Sequence, residues 1–443
     1  RRVCIQAPTG SGKTVLFATM ADGARRKGRR VCFVVHRAEL IRQASQAFDE
    51  IGIPHGIIAP GHTQTRDPIQ IASIQSLVRR LDKTPRPDLL AFDEAHHVAA
   101  ATWQRLIAAW PDPAMVGLTA TPARLDGAGL DDVFGDLIQG PTVRSLIDAG
   151  YLADYRLYAP PMQADLDGVK KSGGDYQRKA AAEAMDRPTV SGDAVAHYQR
   201  IAPGKRAIVF AASVEHSKHV VAQFRAAGVR AEHLDGTEDT GRRRRVVAAF
   251  ARGDIKVLSA VDLFQEGLDI PGIDAAILLR PTQSLPLFLQ MVGRALRPAP
   301  GKDRAIILDH AGNALRHGLP DDDREWTLAG RPKKGRGKDD AAPPVTQCEQ
   351  CFACYPAGRP TCPECGHGRE SQGRKVEQQD GELQEVDPEQ IRAQQRREVG
   401  RARSRDALIE IAQNRGYRNP AKWADHVLEG RRRKEQQQRR AAA

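Results

Sequence analysis

The segment Ala7-Pro8-Thr9-Gly10-Ser11-Gly12-Lys13-Thr14 narrows the folds open to this chain more than any other feature. It follows the apolar run Val3–Ala7 and leads into residues of helical spacing, so a strand has to turn into a helix within a few residues. Gly10 and Gly12 let the turn aim its backbone N–H groups at one point, and the helix N-terminus adds partial positive charge there. Lys13 is placed to neutralise the β- and γ-phosphates of a nucleoside triphosphate, and Thr14 to ligate Mg²⁺. The first position is Ala rather than the Gly of the strict pattern.

A strand that ends in such a cradle needs a parallel sheet behind it, and the chain supplies two sets of candidates. The runs Val31–His36, Ile69–Ala72, Leu89–Asp93 and Met115–Thr119 join Val3–Ala7, and Ala207–Ala211, Val257–Ala260, Ala275–Leu279 and Ala305–Leu308 form the second set. Helix-like stretches separate them, so two α/β domains are expected. The run Leu89–Phe92 ends in Asp93-Glu94-Ala95-His96. An acidic pair at the carboxyl end of a buried strand can hold Mg²⁺ with its first carboxylate, Asp93, and orient an attacking water with its second, Glu94. The bland alternative is an exposed acidic turn.

The first domain is expected over 1–159 and the second over 203–328, joined by a connecting segment, 160–202, whose Gly, Asp and Pro content reads as flexible with some helix. A basic, proline-containing linker follows at 329–345, a metal module at 346–368, a charged flexible stretch at 369–403, and a small helical element with a basic tail at 404–443. In that last part Asn419-Pro420 reads as a helix start, Trp423 and Val427 share a face, and Gly430 fits a stop. The metal module rests on Cys348-x2-Cys351-x10-Cys362-x2-Cys365, two close pairs able to close a tetrahedral thiolate site around Zn²⁺. Cys354 has the same spacing from Cys351, and His367 is a further donor, so a second ligand set stays open. Cys4 and Cys32 lie in apolar runs and read as core thiols.

Charge points to the partner. Sixty-seven Lys and Arg against 55 Asp and Glu leave +12, which favours a polyanion, and residues 331–443, with 24 basic and 17 acidic residues, hold +7 of it. No apolar run approaches the ~20 residues a membrane helix needs, so no membrane partner is expected. The chain opens on Arg1 with its first strand following at once, from which upstream sequence is expected.

With the cradle and the acidic strand end in hand, the chain resembles the DEAD/DEAH-box ATPases of helicase superfamily 2 over about 1–312. Thr119-Ala120-Thr121-Pro122 is similar to the family motif that couples hydrolysis to domain movement, Gly267-Leu268-Asp269-Ile270-Pro271 to motif V, and Gln290-Met291-Val292-Gly293-Arg294-Ala295-Leu296-Arg297 to motif VI. The resemblance implies two tandem RecA-like parallel-sheet domains, ATP as substrate with Mg²⁺, and a coupling role for His96, Thr119 and Thr121. It also implies a γ-phosphate or water contact for Gln290 and a ribose contact for Asp269. Arg294 and Arg297, three apart on one helix face, can reach a γ-phosphate held by the other domain, or else form an ordinary basic face. The family's adenine-reading Gln motif lies upstream of the P-loop, where only six residues precede Ala7, so base specificity is not legible.

By the same resemblance, His36-Arg37, Ser73 with Gln75, Ser213 and Ser259 occupy loops that track a nucleic-acid backbone. Each of them alone also reads as a helix cap. Arg242–Arg245 is either a further nucleic-acid contact or a solvated helix face. The order of parts looks like that of the RadD-like DNA-repair helicases and related phage helicases, and Arg415-Gly416-Tyr417 with Trp423 is similar to a short C-terminal element of phage-type proteins. These likenesses imply a nucleic-acid-dependent ATPase that favours DNA over RNA, sits in the cytoplasm of a bacterial or phage-infected cell with the nucleoid, and has a C-terminal tail open to a protein partner. The rivals are an RNA helicase, a duplex translocase or remodeller, and a DNA-binding adaptor clamped by ATP.

Overall fold

The computed structural model describes residues 1–124, 128–159, 171–172, 175–185, 188–261, 270, 272–329, 344–368, 397–415 and 419–441. Its first sheet consists of β1 (Arg2–Gln6), β2 (Val31–Val35), β3 (Gly56–Ile58), β4 (Ile69–Ser73), β5 (Leu89–Asp93), β6 (Ala114–Thr119) and β7 (Asp136–Gln139), in the order β3-β4-β2-β5-β6-β1-β7 with every pairing parallel. Helices cover both faces. Phe17, Phe33 and Phe48 fill one core, and Phe92, Trp103 and Phe134 the other. Cys4 and Cys32 are buried in the second of these, and burial pushes both thiols up to about 12.

The next strand, β8 (Asp154–Tyr158), leaves the first sheet altogether. After a two-stranded hairpin, β9 (Lys171–Ser172) with β10 (Asp175–Tyr176), come β11 (Ala207–Ala211), β12 (Ala231–Leu234), β13 (Val257–Ala260), β14 (Ala275–Leu279) and β15 (Arg304–Asp309). They form the second sheet in the order β12-β13-β11-β14-β15-β8, again all parallel. The sequence division therefore needs two corrections. Asp154–Tyr158, assigned to the first domain, pairs with β15 of the second sheet, because a parallel sheet is closed at its edge by whichever strand reaches it. The part of 160–202 that is described is ordered structure rather than a loose connection: Tyr198, on the helix Pro188–Ile201, packs edge-on against Phe224 in a second-sheet core with Met185, Ala194 and Ala202. Residues 160–170 lie outside the described residues.

Beyond the helix Asn313–His317 the chain returns to the first sheet. Leu328 packs into its core and accepts a hydrogen bond from Leu130 N–H at 2.7 Å, and Gln139 donates to the Trp326 carbonyl at 3.2 Å. Arg144 and Tyr155 both bond Asp321 on this strap. Residues 330–343 are not among those described. The cysteine module carries the antiparallel pair β16 (Val345–Gln347) and β17 (Cys354–Pro356) and docks on the second domain. Tyr158 at the end of β8 bridges Ala353, Ala159 N–H donates to the Phe352 carbonyl at 3.1 Å, and Arg156 pairs with Glu364 at 2.7 Å.

Residues 371–443 form a separate compact unit. Its helices Arg405–Asn414 and Pro420–Ala441 pack around Leu408, Ala412 and Ala424, with Trp423 and Val427 beside them. The second helix starts at Pro420 as expected but does not stop at Gly430, because its register continues through Arg431, which donates to the Ala402 carbonyl. Tyr417 lies outside the described residues. No described helix is long and apolar enough to cross a membrane.

Candidate functional site

All seven strands of the first sheet run the same way, so their carboxyl ends meet on one edge, where open α/β sheets bind ligands. β1 and β6 are neighbours, and Ala7 N–H donates to the Thr119 carbonyl at 2.9 Å while Gln6 donates to the Ala120 carbonyl at 3.0 Å. The cradle that follows β1 turns through Gly10 at φ +86° and Gly12 at φ +79°, left-handed values that any Cβ would strain. Lys13 opens the helix Lys13–Arg26, and its ammonium donates to the carbonyls of Ala7 and Pro8 at 3.0 Å each. Burial lowers the pKa of Lys13, Glu94 and Asp93 oppose that by raising it, and the nearby Arg297 lowers it further. The Ser11 hydroxyl is buried in the loop without a hydrogen-bond partner. An unfilled donor beside converging N–H groups and a cation suits a phosphate chain.

Asp93 ends β5 and is buried; Glu94 follows at φ +48°, in the left-handed region. Burial, then the adjoining Glu94 carboxylate, pushes Asp93 up to about 7, against the pull of Lys13. The Asp93 carboxylate and the Thr14 hydroxyl are oxygen donors of the kind a hard cation such as Mg²⁺ takes. His96, Thr119 and Thr121 come together. Thr119 Oγ1 donates to the Thr121 carbonyl at 2.8 Å, so it must accept from His96 Nδ1 at 3.3 Å, and that same nitrogen lies 3.4 Å from Glu94 Oε2.

The second domain reaches this site through the helix Leu285–Ala295, on which Gln290 and Arg294 are buried. A Cβ built on Gly293 would fall 2.7 Å from Thr9 Cβ, and one built on Gly10 would fall 3.6 Å from Arg297 Cγ, so helix and cradle are in direct contact. Burial lowers the Arg297 pKa. Lys302, which the sequence reading missed, tethers the C-terminal end of this helix, the end that meets the cradle, by donating to the carbonyls of Ala295, Arg297 at 2.8 Å and Ile273 at 2.7 Å. Its signal was a lysine placed after the Gly301 turn beyond the motif. Asp269 lies outside the described residues.

The six residues expected along the nucleic acid separate. His36 and Arg37 follow β2, and the exposed Gln75 donates to the His36 carbonyl at 3.4 Å, so these three share the first-sheet edge. Three serines have other work. Ser73 caps the helix Ile74–Val78, accepting from Ser76 N–H, and Ser213 caps Val214–Ala226, accepting from His216 N–H. Ser259 is fully buried at 2.6 Å from the Ser217 hydroxyl, which meets His233 at 2.7 Å. Of the arginine run, Arg242 pairs with Glu238 and Glu232.

In the cysteine module, Cys348 and Cys365 have sulfurs 3.6 Å apart, as do Cys351 and Cys362, and all four sulfurs lie within 4.8 Å of one another. A tetrahedron with Zn–S bonds of ~2.3 Å has edges of about 3.8 Å, so the four fit the metal. Cys354 points away, half-buried against the second-domain core, where burial pushes its thiol up to about 12. Phe352, at φ +63°, lines a small cavity with Tyr158, His197, Ile201 and His310, and the Arg200 guanidinium lies over its ring at 5.8 Å.

Two parallel sheets, with a glycine-rich turn on one and a buried arginine helix from the other laid against it, fit an ATPase built of two tandem RecA-like domains. Known proteins agree. Residues 1–124 match the family model described as "Type III restriction enzyme, res subunit", and 193–299 match "Helicase conserved C-terminal domain". A "51.5 kDa protein" of a Lactococcus phage is 37% identical over 366 residues, which cover 82% of this chain and 77% of that protein. IRC3 of Saccharomyces cerevisiae, named as an ATP-dependent helicase, is 27% identical over 70% of this chain and 48% of its own length, so the chain spans about half of that relative. A fragment of an HsdR subunit assigned to a type I restriction enzyme of Vibrio vulnificus shares the fold, with a TM-score of 0.57 at 23% identity over 75% of this chain and 63% of that one. The chain belongs to the superfamily 2 helicases.

Proposed function

We propose that this chain hydrolyses ATP to move along or unwind DNA, in repair, recombination or replication. The observation that carries the reading is the contact of Gly293 and Arg297 with the cradle at Thr9 and Gly10, which makes hydrolysis depend on closure of two domains. Gly10, Gly12 and Lys13 hold the phosphates, Thr14 and Asp93 hold Mg²⁺, and Glu94 orients the attacking water. Mg²⁺ held there would supply positive charge to the phosphate chain. Arg294, Arg297 and Gln290 act on the γ-phosphate from the second domain, and His96, Thr119 and Thr121 relay its state. His36, Arg37 and Gln75 provide the phosphate-tracking edge.

DNA is favoured because restriction enzymes act on DNA and the model over residues 1–124 is named for one, and because the net charge is +12. Zn²⁺ in the four-cysteine cluster staples a module too small for a core of its own. The test is ATP turnover with single-stranded DNA, duplex DNA or RNA, followed by strand displacement on the activating polymer. Stimulation by DNA well above that by RNA is expected. Stimulation by RNA alone would overturn the DNA assignment.

A further inference from the structure

His36 leaves the end of β2 and His97 lies four residues past the end of β5, and these strands are neighbours in the sheet. Their rings are 4.6 Å apart between centroids, and the His97 ring is in turn 4.2 Å from that of His96. Such separations are ring contact. His96 touches Glu94 Oε2 and Thr119 Oγ1 at the other end, and Gln75 donates to the His36 carbonyl at the first. The half-buried His97 therefore lies between the nucleic-acid edge and the catalytic carboxylate, in a place no other part of the mechanism uses.

The element it would act on is small. Ala95–His97 is a single 3₁₀ turn, and His97 N–H donates to the Glu94 carbonyl at 3.0 Å, so the ring that meets His36 and the carboxylate that faces the cradle ride on one turn. Glu94 enters that turn at φ +48°, ψ +58°, a conformation that costs an ordinary residue free energy and is kept only while its surroundings impose it. A displacement of His97 therefore acts on Glu94 through the turn the two share.

We propose that His97 is a positioning residue that passes occupancy of the nucleic-acid edge at His36 to Glu94 and His96, setting the water-orienting carboxylate when nucleic acid is bound. This rests on the proposed function above and assigns a residue to its coupling step. No charge need move, because contact between rings and the shared turn carry the signal.

The test is ATP turnover by the full chain against DNA concentration, with DNA binding measured separately by fluorescence anisotropy. His97→Ala should keep turnover without DNA and the DNA dissociation constant within about twofold, while DNA-stimulated kcat falls by about eightfold, the middle of the range for coupling residues. His97→Leu, which restores volume without a ring, should behave the same, so that a folding defect in one variant leaves the other decisive. His97→Phe should recover most of the stimulation. Full stimulation in His97→Ala and His97→Leu would overturn the inference, as would a loss shared equally by basal and stimulated turnover. Wild-type protein that no nucleic acid stimulates would instead overturn the proposed function, and the relay with it.

Discussion

Replacing Gly293 with Ala separates folding from catalysis at the contact between the two domains. The residue sits inside the helix Leu285–Ala295, where Ala is about 1 kcal/mol better than Gly, so the variant domain should be at least as stable. The new Cβ would lie 2.7 Å from Thr9 Cβ and 3.1 Å from Thr9 Cγ2. Carbon atoms prefer about 3.5–4.0 Å, so helix and cradle must part by roughly 1 Å. The strain falls only on the closed arrangement, because the helix can keep its place in its own domain. A displacement of ~1 Å between reacting groups costs on the order of 10² in rate. Steady-state kinetics with a thermal melt should therefore show kcat lowered by roughly 10- to 100-fold, ATP affinity little changed, and a melting temperature equal to wild type or higher. Wild-type kcat would refute the reasoning, because the cradle would then not need this contact to work.

Glu94→Gln should bind ATP and lose turnover, checked by nucleotide titration beside an ATPase assay, because the phosphate and metal ligands remain. Cys362→Ser should release the metal found by elemental analysis, and Cys354→Ser should retain it, because the Cys354 thiol packs on the second domain rather than in the cluster. Asp309 is fully buried, accepts from Ala314 N–H at 2.6 Å, and burial pushes it up to about 6. A raised carboxyl favours the fold below its unfolded pKa, and that contribution is lost as pH rises through about 6. Denaturant melts should show up to about 3 kcal/mol of this loss between pH 4 and 7 in wild type and none of it in Asp309→Asn.

The strands legible in the sequence share one physical property. β1, β2, β4, β5 and β6, and β11, β13, β14 and β15, were read from continuous apolar runs, and they are the interior strands of the two sheets. The strands of these two sheets that carry no such run, β3, β7, β8 and β12, are their four edges. An interior parallel strand is covered on both faces and must be apolar throughout, whereas an edge strand such as Asp136–Gln139 is largely exposed and carries no such run. The phosphate cradle, the acidic pair and the cysteine cluster were legible because each is a tight local pattern. The serines at strand ends carry a weaker signal, because a serine there serves equally as a helix cap, the role that Ser73 and Ser213 take. Docking of the cysteine module through Phe352 depends on a partner strand nearly 200 residues earlier, and no local spacing announces it.

The central claim is that hydrolysis requires an arginine from the second domain at a cradle built by the first. Its most direct test is the turnover of Arg297→Ala at saturating ATP and DNA, alongside nucleotide binding by the same protein. An arginine acting on the γ-phosphate is worth ~10³–10⁵ in rate, so kcat should fall by about a thousandfold while ATP still binds. Turnover within a few-fold of wild type would contradict the account, leaving the contact between Arg297 and Gly10 as packing alone.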